Sequence, residues 1–318
     1  MVQDKGVPTV DLAEFIHGDA KAKREFAKKL GTAFREVGFV AVTNHGIPKD
    51  LVDGFYDASK AFFALPEKKK KKYEKPGLAG QRGYTSFGKE HAKQSKVADL
   101  KEFYQIGQFV AKSHPLKSEY PDNPKVTEVP DFSKKGKELY KAFEVSGGFL
   151  LEAIAMFLKI GKTYFKPKIK NGNSILRSIY YPPITQEPAS AIRAEQHEDI
   201  NLITLLVGAS AGGLELLTKK NEWKAVVPGP DEIVVNVGDM LQRLTNNYLK
   251  STTHRVVNPP RSEWHNPRLS IPFFLHPQSS MDLTCLPKTV TEKRPLAYQP
   301  ITAGDYLSER LREIGLKK

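Results

Sequence analysis

A chain of 318 residues with 40% hydrophobic and 27% charged side chains has apolar material enough for one large domain or two modest ones. Its formal charge of +13 assigns no partner: the lysine run Lys68–Lys72 lacks the interleaved aromatics or glycines of a nucleic-acid module and reads as a solvated helical face. A cytosolic protein outside the membrane is expected, because MVQDKGVPTVDLAEF has no basic start followed by an apolar run and no stretch nears the roughly 18 to 20 apolar residues of a membrane helix.

Residues 8–12, PTVDL, read as a short strand, with Asp11 able to cap the segment after it. From Lys21 to Val37 the residues Phe26, Leu30, Phe34 and Val37 recur near helical spacing and predict an amphipathic helix, ended by Gly38. FVAVTNHGI comes next as a strand closing in a turn at Asn44, His45 and Gly46. A second helix is expected from Pro48 to Leu65, where Pro66 interrupts the pattern. Residues 74–98 are rich in glycine, lysine and polar groups and read as an irregular loop able to cover a site. Phe132 to about Ile160 is again helical, with Leu139, Phe143, Leu150, Ile154 and Phe157 on its apolar face.

After Asn171 the texture changes. ILRSIYYP, NLITLLVG, GLELLT, WKAVVP, EIVVNVG, HRVVN and RLSIPFFL are short β-type segments separated by Gly, Pro and Asn. That spacing suits an all-β sandwich, barrel or jelly roll and not βαβ units. The tail from Tyr306 to Gly315 returns to a helical pattern. The expected organisation is an N-terminal helical and mixed region (1–130) packing on a core (131–280) that joins a helix to the β segments, then a C-terminal segment with a helix (281–318).

In AEQHEDINLITLL, an extended backbone puts His197 and Asp199 on one face and Glu198 on the other. An imidazole beside a carboxylate offers two ligands to a first-row divalent metal, and one more imidazole completes the facial triad of non-haem Fe(II), with positions left open. His254, in NYLKSTTHRVVN just beyond the strand-like EIVVNVGDML, is the candidate. Taken singly these signals are weak: His-x-Asp arises often by chance, and a histidine beside Arg255 on a strand is more often a hydrogen-bonded core or surface residue. Zinc with a hydrolytic water can use the same three ligands. The competing histidines, His17, His45, His91, His114, His265 and His276, read as structural or exposed. Cys285 is the single cysteine, so an internal disulfide and a thiolate-built metal site are excluded, and it reads as a packed or incidental thiol.

Arg268 and Ser270 share a face of RLSIPFFL by the same two-residue rule, and a guanidinium fork beside a hydroxyl suits a carboxylate. A 2-oxo acid can chelate the metal through its keto and C1 carboxylate oxygens while this pair holds the far carboxylate. Tyr181, in IYYPP, can donate a further hydrogen bond. The plainer alternative is a salt-bridged arginine on an edge strand, which Pro272 would suit.

In chain order, PTVDL, GFVAVTNHGIP, RGYTSFGKE, DLKEFYQIG, YYPP, HED with NLITLL, VNVGDMLQRLTNNYLKSTTHRVVNP and RLSIPFFLHP resemble the isopenicillin N synthase-like group of Fe(II)/2-oxoglutarate dioxygenases over most of the chain. The stretch Val235–Pro259 is the most specific: Asn236, Gly238, Asp239, Thr245, Asn246, Ser251, Thr252, His254, Arg255 and Val256 fall where the family pattern places them. The resemblance implies a mostly β core, a double-stranded β-helix (distorted jelly roll) flanked by α-helices. It carries metal-ligand roles onto His197, Asp199 and His254, and co-substrate contacts onto Arg268, Ser270 and Tyr181. Ile179 stands where many plant members have Asn, a departure that touches the co-substrate's hydrogen bonding and leaves the Arg268/Ser270 clamp intact.

The implied activity uses Fe(II), 2-oxoglutarate and O2 to oxidise a small molecule by hydroxylation, desaturation or cyclisation, releasing succinate and CO2. A 2-oxoglutarate-independent oxidase of the isopenicillin N synthase type, and an ethylene-forming enzyme that consumes 2-oxoglutarate itself, share the Arg-x-Ser motif. A non-catalytic binding module has no need of both triad and clamp. Neither substrate nor oligomeric state is written in a readable motif, although the basic balance leans toward an acidic small molecule.

Overall fold

The computed structural model describes residues 6–78, 80–90, 97–208 and 210–313. Asp11 ends strand β1 (Thr9–Asp11), and its carboxylate accepts the Ala13 N–H to start α1 (Leu12–Ile16). Asp19 caps α2 (Ala20–Glu36) in the same way, accepting from Lys21 and Ala22, and this helix buries Phe26, Leu30 and Phe34. The chain leaves β2 (Phe39–Thr43) through Asn44 and Gly46, with φ of 48° and 74°, into α3 (Lys49–Phe63).

Pro66 then starts α4 (Glu67–Lys71), where the lysine run departs from the expected solvated face. Lys70 is buried, and its Nζ donates to both Glu102 oxygens at 2.8 and 2.7 Å, while Lys68, Lys69, Lys71 and Lys72 stay exposed. An available carboxylate in the sheet beneath is what draws one of the five inward. The segment expected to be irregular contains a strand, β3 (Gly83–Thr85), paired antiparallel with β4 (Glu102–Gly107). His91 lies outside the described residues.

The long helix α5 (Phe132–Phe157) and short α6 (Lys166–Ile169) lead to β5 (Ile175–Tyr181), β6 (Ala194–His197), β7 (Ile203–Val207), β8 (Leu214–Leu217) and β9 (Trp223–Ala225). The strand-like EIVVNVGDML predicts extended backbone through Gly238–Leu241, but β10 (Ile233–Val237) stops short of it and α7 (Asp239–Leu244) begins there. Gly238 fits tightly against Asn201, whose carbonyl oxygen would lie 2.2 Å from any added Cβ, and the Asp239 N–H donates to the Asp199 carbonyl at 2.7 Å. β11 (His254–Val256), β12 (Arg268–Leu275) and α8 (Ala303–Glu313) complete the described chain. No described helix is long and apolar enough to cross a membrane.

The strands form an eight-stranded sheet, β1-β2-β10-β7-β12-β5-β4-β3, and a four-stranded sheet, β6-β11-β8-β9. Alternation along each central strand sends its two faces to different layers. In β12, Leu269, Ile271, Phe273 and Leu275 join the core shared with α2, α3 and α5, and Arg268, Ser270, Pro272 and Phe274 point into the space between the sheets. β7 and β10 divide likewise, with Thr204, Leu206, Val234 and Asn236 turned inward. Gly147 lets α5 settle onto this sheet, since a Cβ there would lie 2.3 Å from the Leu275 side chain. A smaller apolar cluster including Phe39, Phe103, Ile179, Leu216 and Val256 joins the two sheets, the opposed walls of a distorted jelly roll with open edges.

β12 lies between β7 and β5, so Arg268 is not on an edge strand. Pro272 is accommodated because pairing with β5 stops after Ser270 and resumes at Phe273, where no N–H is required of the proline.

Candidate active site

His197 is the last residue of β6 and His254 the first of β11, and the two are register partners. Asp199 lies in the loop after β6, not in the strand, so its convergence with His197 comes from the loop's path and its own hydrogen bonds. The ligand atoms of the three side chains lie within 4.8 Å of one another. Asp199 Oδ1 is 3.8 Å from Nε2 of His197 and 3.8 Å from Nε2 of His254. Every outer atom is engaged elsewhere. Oδ2 of Asp199 accepts from Thr204 Oγ1 at 2.6 Å and Asn236 Nδ2 at 2.8 Å. Nδ1 of His197 is 2.7 Å from the Glu195 carbonyl, and Nδ1 of His254 is 3.0 Å from that of Thr252. Both rings therefore donate through Nδ1–H and present an Nε2 lone pair inward, the tautomer a metal requires.

The charges suit the same purpose. Burial alone would raise the Asp199 carboxyl, yet the two imidazoles and the bonds from Asn236 and Thr204 hold it below its ordinary value. His197 is open to the cavity at 38% side-chain exposure, but surrounding protein and the neighbouring His254 lower its pKa, which keeps the ring neutral. Two imidazoles and one carboxylate, one atom from each on the same side, fit a divalent first-row metal.

A cavity of about 750 Å³ contains the triad together with Tyr181, Arg268 and Ser270. Arg268 is 2% exposed; its Nε donates to the carbonyls of Ala211 and Gly212 at 3.1 Å each, and its Nη1 to Ser270 Oγ at 3.2 Å. These contacts fix the guanidinium plane without neutralising it. Tyr181, the register partner of Arg268, lies with its ring centre 5.0 Å from the guanidinium carbon. Ile179 sits opposite Ser270.

Other groups on the cavity wall escaped the sequence reading. Lys101 Nζ bridges Glu90 Oε1 at 2.8 Å and Asp99 Oδ2 at 2.7 Å, and Arg177 Nη1 reaches the same Glu90 oxygen at 3.2 Å. Burial opposes the charge on Glu90, but Arg177 and Lys101 outweigh it and bring the pKa down to about 2. His276 is also on this wall: it is buried, its Nδ1 has no hydrogen-bond partner among the described residues, and burial lowers its pKa to about 4. It is not exposed, and the alternation of 268, 270, 272 and 274 extended by two residues would have found it.

The remaining described histidines stay outside the site. His45 accepts the Ile47 N–H, His114 accepts that of Leu116, His17 ends α1, and His265 is exposed. Cys285 is a buried free thiol directed at the Arg243 carbonyl, 3.3 Å away.

Two family models match the chain. Residues 7–128 match the non-haem dioxygenase in morphine synthesis N-terminal model, and residues 172–277 match the 2OG-Fe(II) oxygenase superfamily. The 2-oxoglutarate-Fe(II) type oxidoreductase ppzD of Metarhizium rileyi is 31% identical over 329 residues, 97% of this chain and 91% of that protein. A 2OG-Fe(II) oxygenase family protein from Caulobacter crescentus has a crystal structure with TM-score 0.88 and 42% identity, covering 97% of this chain and 99% of that one. A full-length Neurospora crassa protein, solved in complex with alpha-KG and thymine, gives TM-score 0.85 at 31% identity, with 98% of each chain covered. Enzymes of this kind need Fe(II), 2-oxoglutarate and O2 and oxidise small molecules. The chain belongs to the 2OG-Fe(II) oxygenase superfamily.

Proposed function

We propose that His197, Asp199 and His254 hold the Fe(II) and that Arg268 and Ser270 receive the far carboxylate of 2-oxoglutarate, with Tyr181 walling its side. The observation that carries this reading is the orientation of Asp199: Oδ1 faces both Nε2 atoms at 3.8 Å while Oδ2 is held by Thr204 and Asn236. Bound iron supplies the redox chemistry that couples decarboxylation of 2-oxoglutarate, to succinate and CO2, with oxidation of the substrate. The chain's own groups position and exclude. The backbone carbonyls of Glu195 and Thr252 fix the imidazole tautomers, Arg268 sets the co-substrate's direction, and the apolar side chains of Phe39, Leu206 and Val256 keep water from the reacting centre.

The substrate is a small molecule and not a nucleic acid. The charge-balanced wall of Glu90, Asp99, Lys101 and Arg177 favours a polar, hydrogen-bonding compound, and thymine, held by the Neurospora protein, is of that kind. We place the activity in the cytosol, whose reducing poise suits both ferrous iron and the single thiol, Cys285.

The test is His197→Ala and Asp199→Ala, read by iron content after anaerobic loading and by succinate formation. Both variants are expected to lose bound iron and turnover; full activity in both contradicts the ligand assignment.

A further inference from the structure

Two arginines are buried around one tyrosine, and one of them, Arg268, lines the cavity of the triad with that tyrosine. Arg268 on β12 and Arg193, the residue before β6, are each 2% exposed. Their guanidinium carbons lie 5.0 Å and 6.0 Å from the centre of the Tyr181 ring. The partners of both are neutral: the Asn266 carbonyl for Arg193, at 2.9 Å, and two carbonyls and the Ser270 hydroxyl for Arg268. Nε of Arg193 is buried with no hydrogen-bond partner among the described residues. Both arginines line a second cavity of about 580 Å³, which shares Leu206, Leu214, Val234 and Arg268 with the first and is lined also by Glu215 and Glu263.

Burying two like charges about one ring is unfavourable unless an anion answers them. Burial and the charge of Arg268 lower the pKa of Arg193, while Glu263 acts in the opposite sense as the weakest influence on it. Packing does not require a second cation here, since Arg268 already has its own carbonyl and hydroxyl anchors.

We propose that Arg193 is a second cation of the co-substrate carboxylate site, a positioning residue that with Arg268 selects a 2-oxo diacid over a 2-oxo monoacid. This rests on the reading that Arg268 receives the far carboxylate. A carboxylate held by Arg268 within the field of Arg193, with Glu263 acting on Arg193 as well, brings the group to neutrality. An uncharged chain end in the same place leaves both cations unanswered.

The test is anaerobic calorimetric titration of the Fe(II)-loaded protein with 2-oxoglutarate and with 2-oxopentanoate, which lacks the far carboxylate. Wild type is compared with Arg193→Gln, Arg193→Lys and Arg268→Gln, and each unfolding midpoint is recorded. Arg193→Gln is expected to weaken 2-oxoglutarate binding on the order of tenfold, as loss of one partly screened charge implies, and to leave 2-oxopentanoate unchanged. Arg193→Lys is expected to recover part of the loss, and it replaces the glutamine variant should that fail to fold. Equal weakening of both acids with a lowered midpoint makes Arg193 structural and overturns the proposal. Unchanged 2-oxoglutarate binding in the Arg193 variants, while Arg268→Gln still separates the two acids, overturns it and leaves the parent reading standing. Failure of Arg268→Gln to separate them removes both.

Discussion

The two oxygens of Asp199 have separate tasks, because Thr204 and Asn236 hold Oδ2 and leave Oδ1 facing the imidazoles. Removing one holder loosens the proposed ligand without deleting it. Thr204→Val, nearly the same shape, is expected to lower ferrous iron affinity roughly 10- to 100-fold, the usual cost of losing a bond to a metal ligand. Anaerobic iron titration checks this, and unchanged affinity would show that Asn236 suffices. His276 gives a second prediction. Its folded pKa of about 4 lies below the ordinary 6.5, so the unfolded chain takes up the proton first as pH falls. The stability this buried neutral ring contributes is complete above pH 6.5 and is lost as pH drops toward 4, on the order of 3 kcal/mol in all. Denaturant unfolding of metal-free wild type and His276→Gln is expected to show that extra loss only in wild type; parallel pH slopes would contradict it. All three residues, Thr204, Asn236 and His276, were within reach of the sequence. Thr204 and Asn236 are polar at inward positions of otherwise apolar strands, and His276 continues the Arg268/Ser270 alternation.

Secondary elements track local signals closely, and depart from them where a partner distant in sequence intervenes. Asp11 and Pro48 mark helix starts that the sequence announces, and Pro66, read as the end of one helix, also begins the next, because a capping oxygen and a missing proline N–H act within a few residues. Lys70 was not legible, since its neighbours Lys69 and Lys71 have the same chemistry and only Glu102 on β4 distinguishes it. The pair ties α4 to the sheet at 10% and 8% side-chain exposure. Lys70→Met strands a buried carboxylate that, among the described residues, the Tyr84 hydroxyl alone then serves, and is expected to cost roughly 3 to 5 kcal/mol. Lys69→Met, in the solvated part of the run, should stay within about 0.5 kcal/mol. Equal effects of the two in urea unfolding would remove the structural role given to the pair. Strand alternation accounts for Asp199 only in part, for a similar reason: β6 ends at His197, and the carboxylate arrives by tertiary hydrogen bonds.

At the scale of the whole molecule, period-two alternation in β7, β10 and β12 separates a helix-covered apolar layer from a polar interior between two sheets. That division was legible, as was the β-rich second half. Strand order was not, because β12 between β7 and β5 pairs segments far apart in the chain, and Pro272 pointed to an edge. The charged wall of Glu90, Asp99, Lys101 and Arg177 was also hidden: its members come from three separate stretches and meet only when β4 and β5 pair. The proposed function requires one cavity to hold a metal on the triad and a diacid on Arg268 together. Anaerobic ultraviolet-visible titration of metal-free protein, first with Fe(II) and then with 2-oxoglutarate, tests both at once. A weak visible charge-transfer band that needs both additions, and is lost in Arg268→Ala at the same 2-oxoglutarate concentration, is the expected result. Confirmed iron binding with no such band would contradict the shared site and favour an oxidase that consumes O2 with substrate alone.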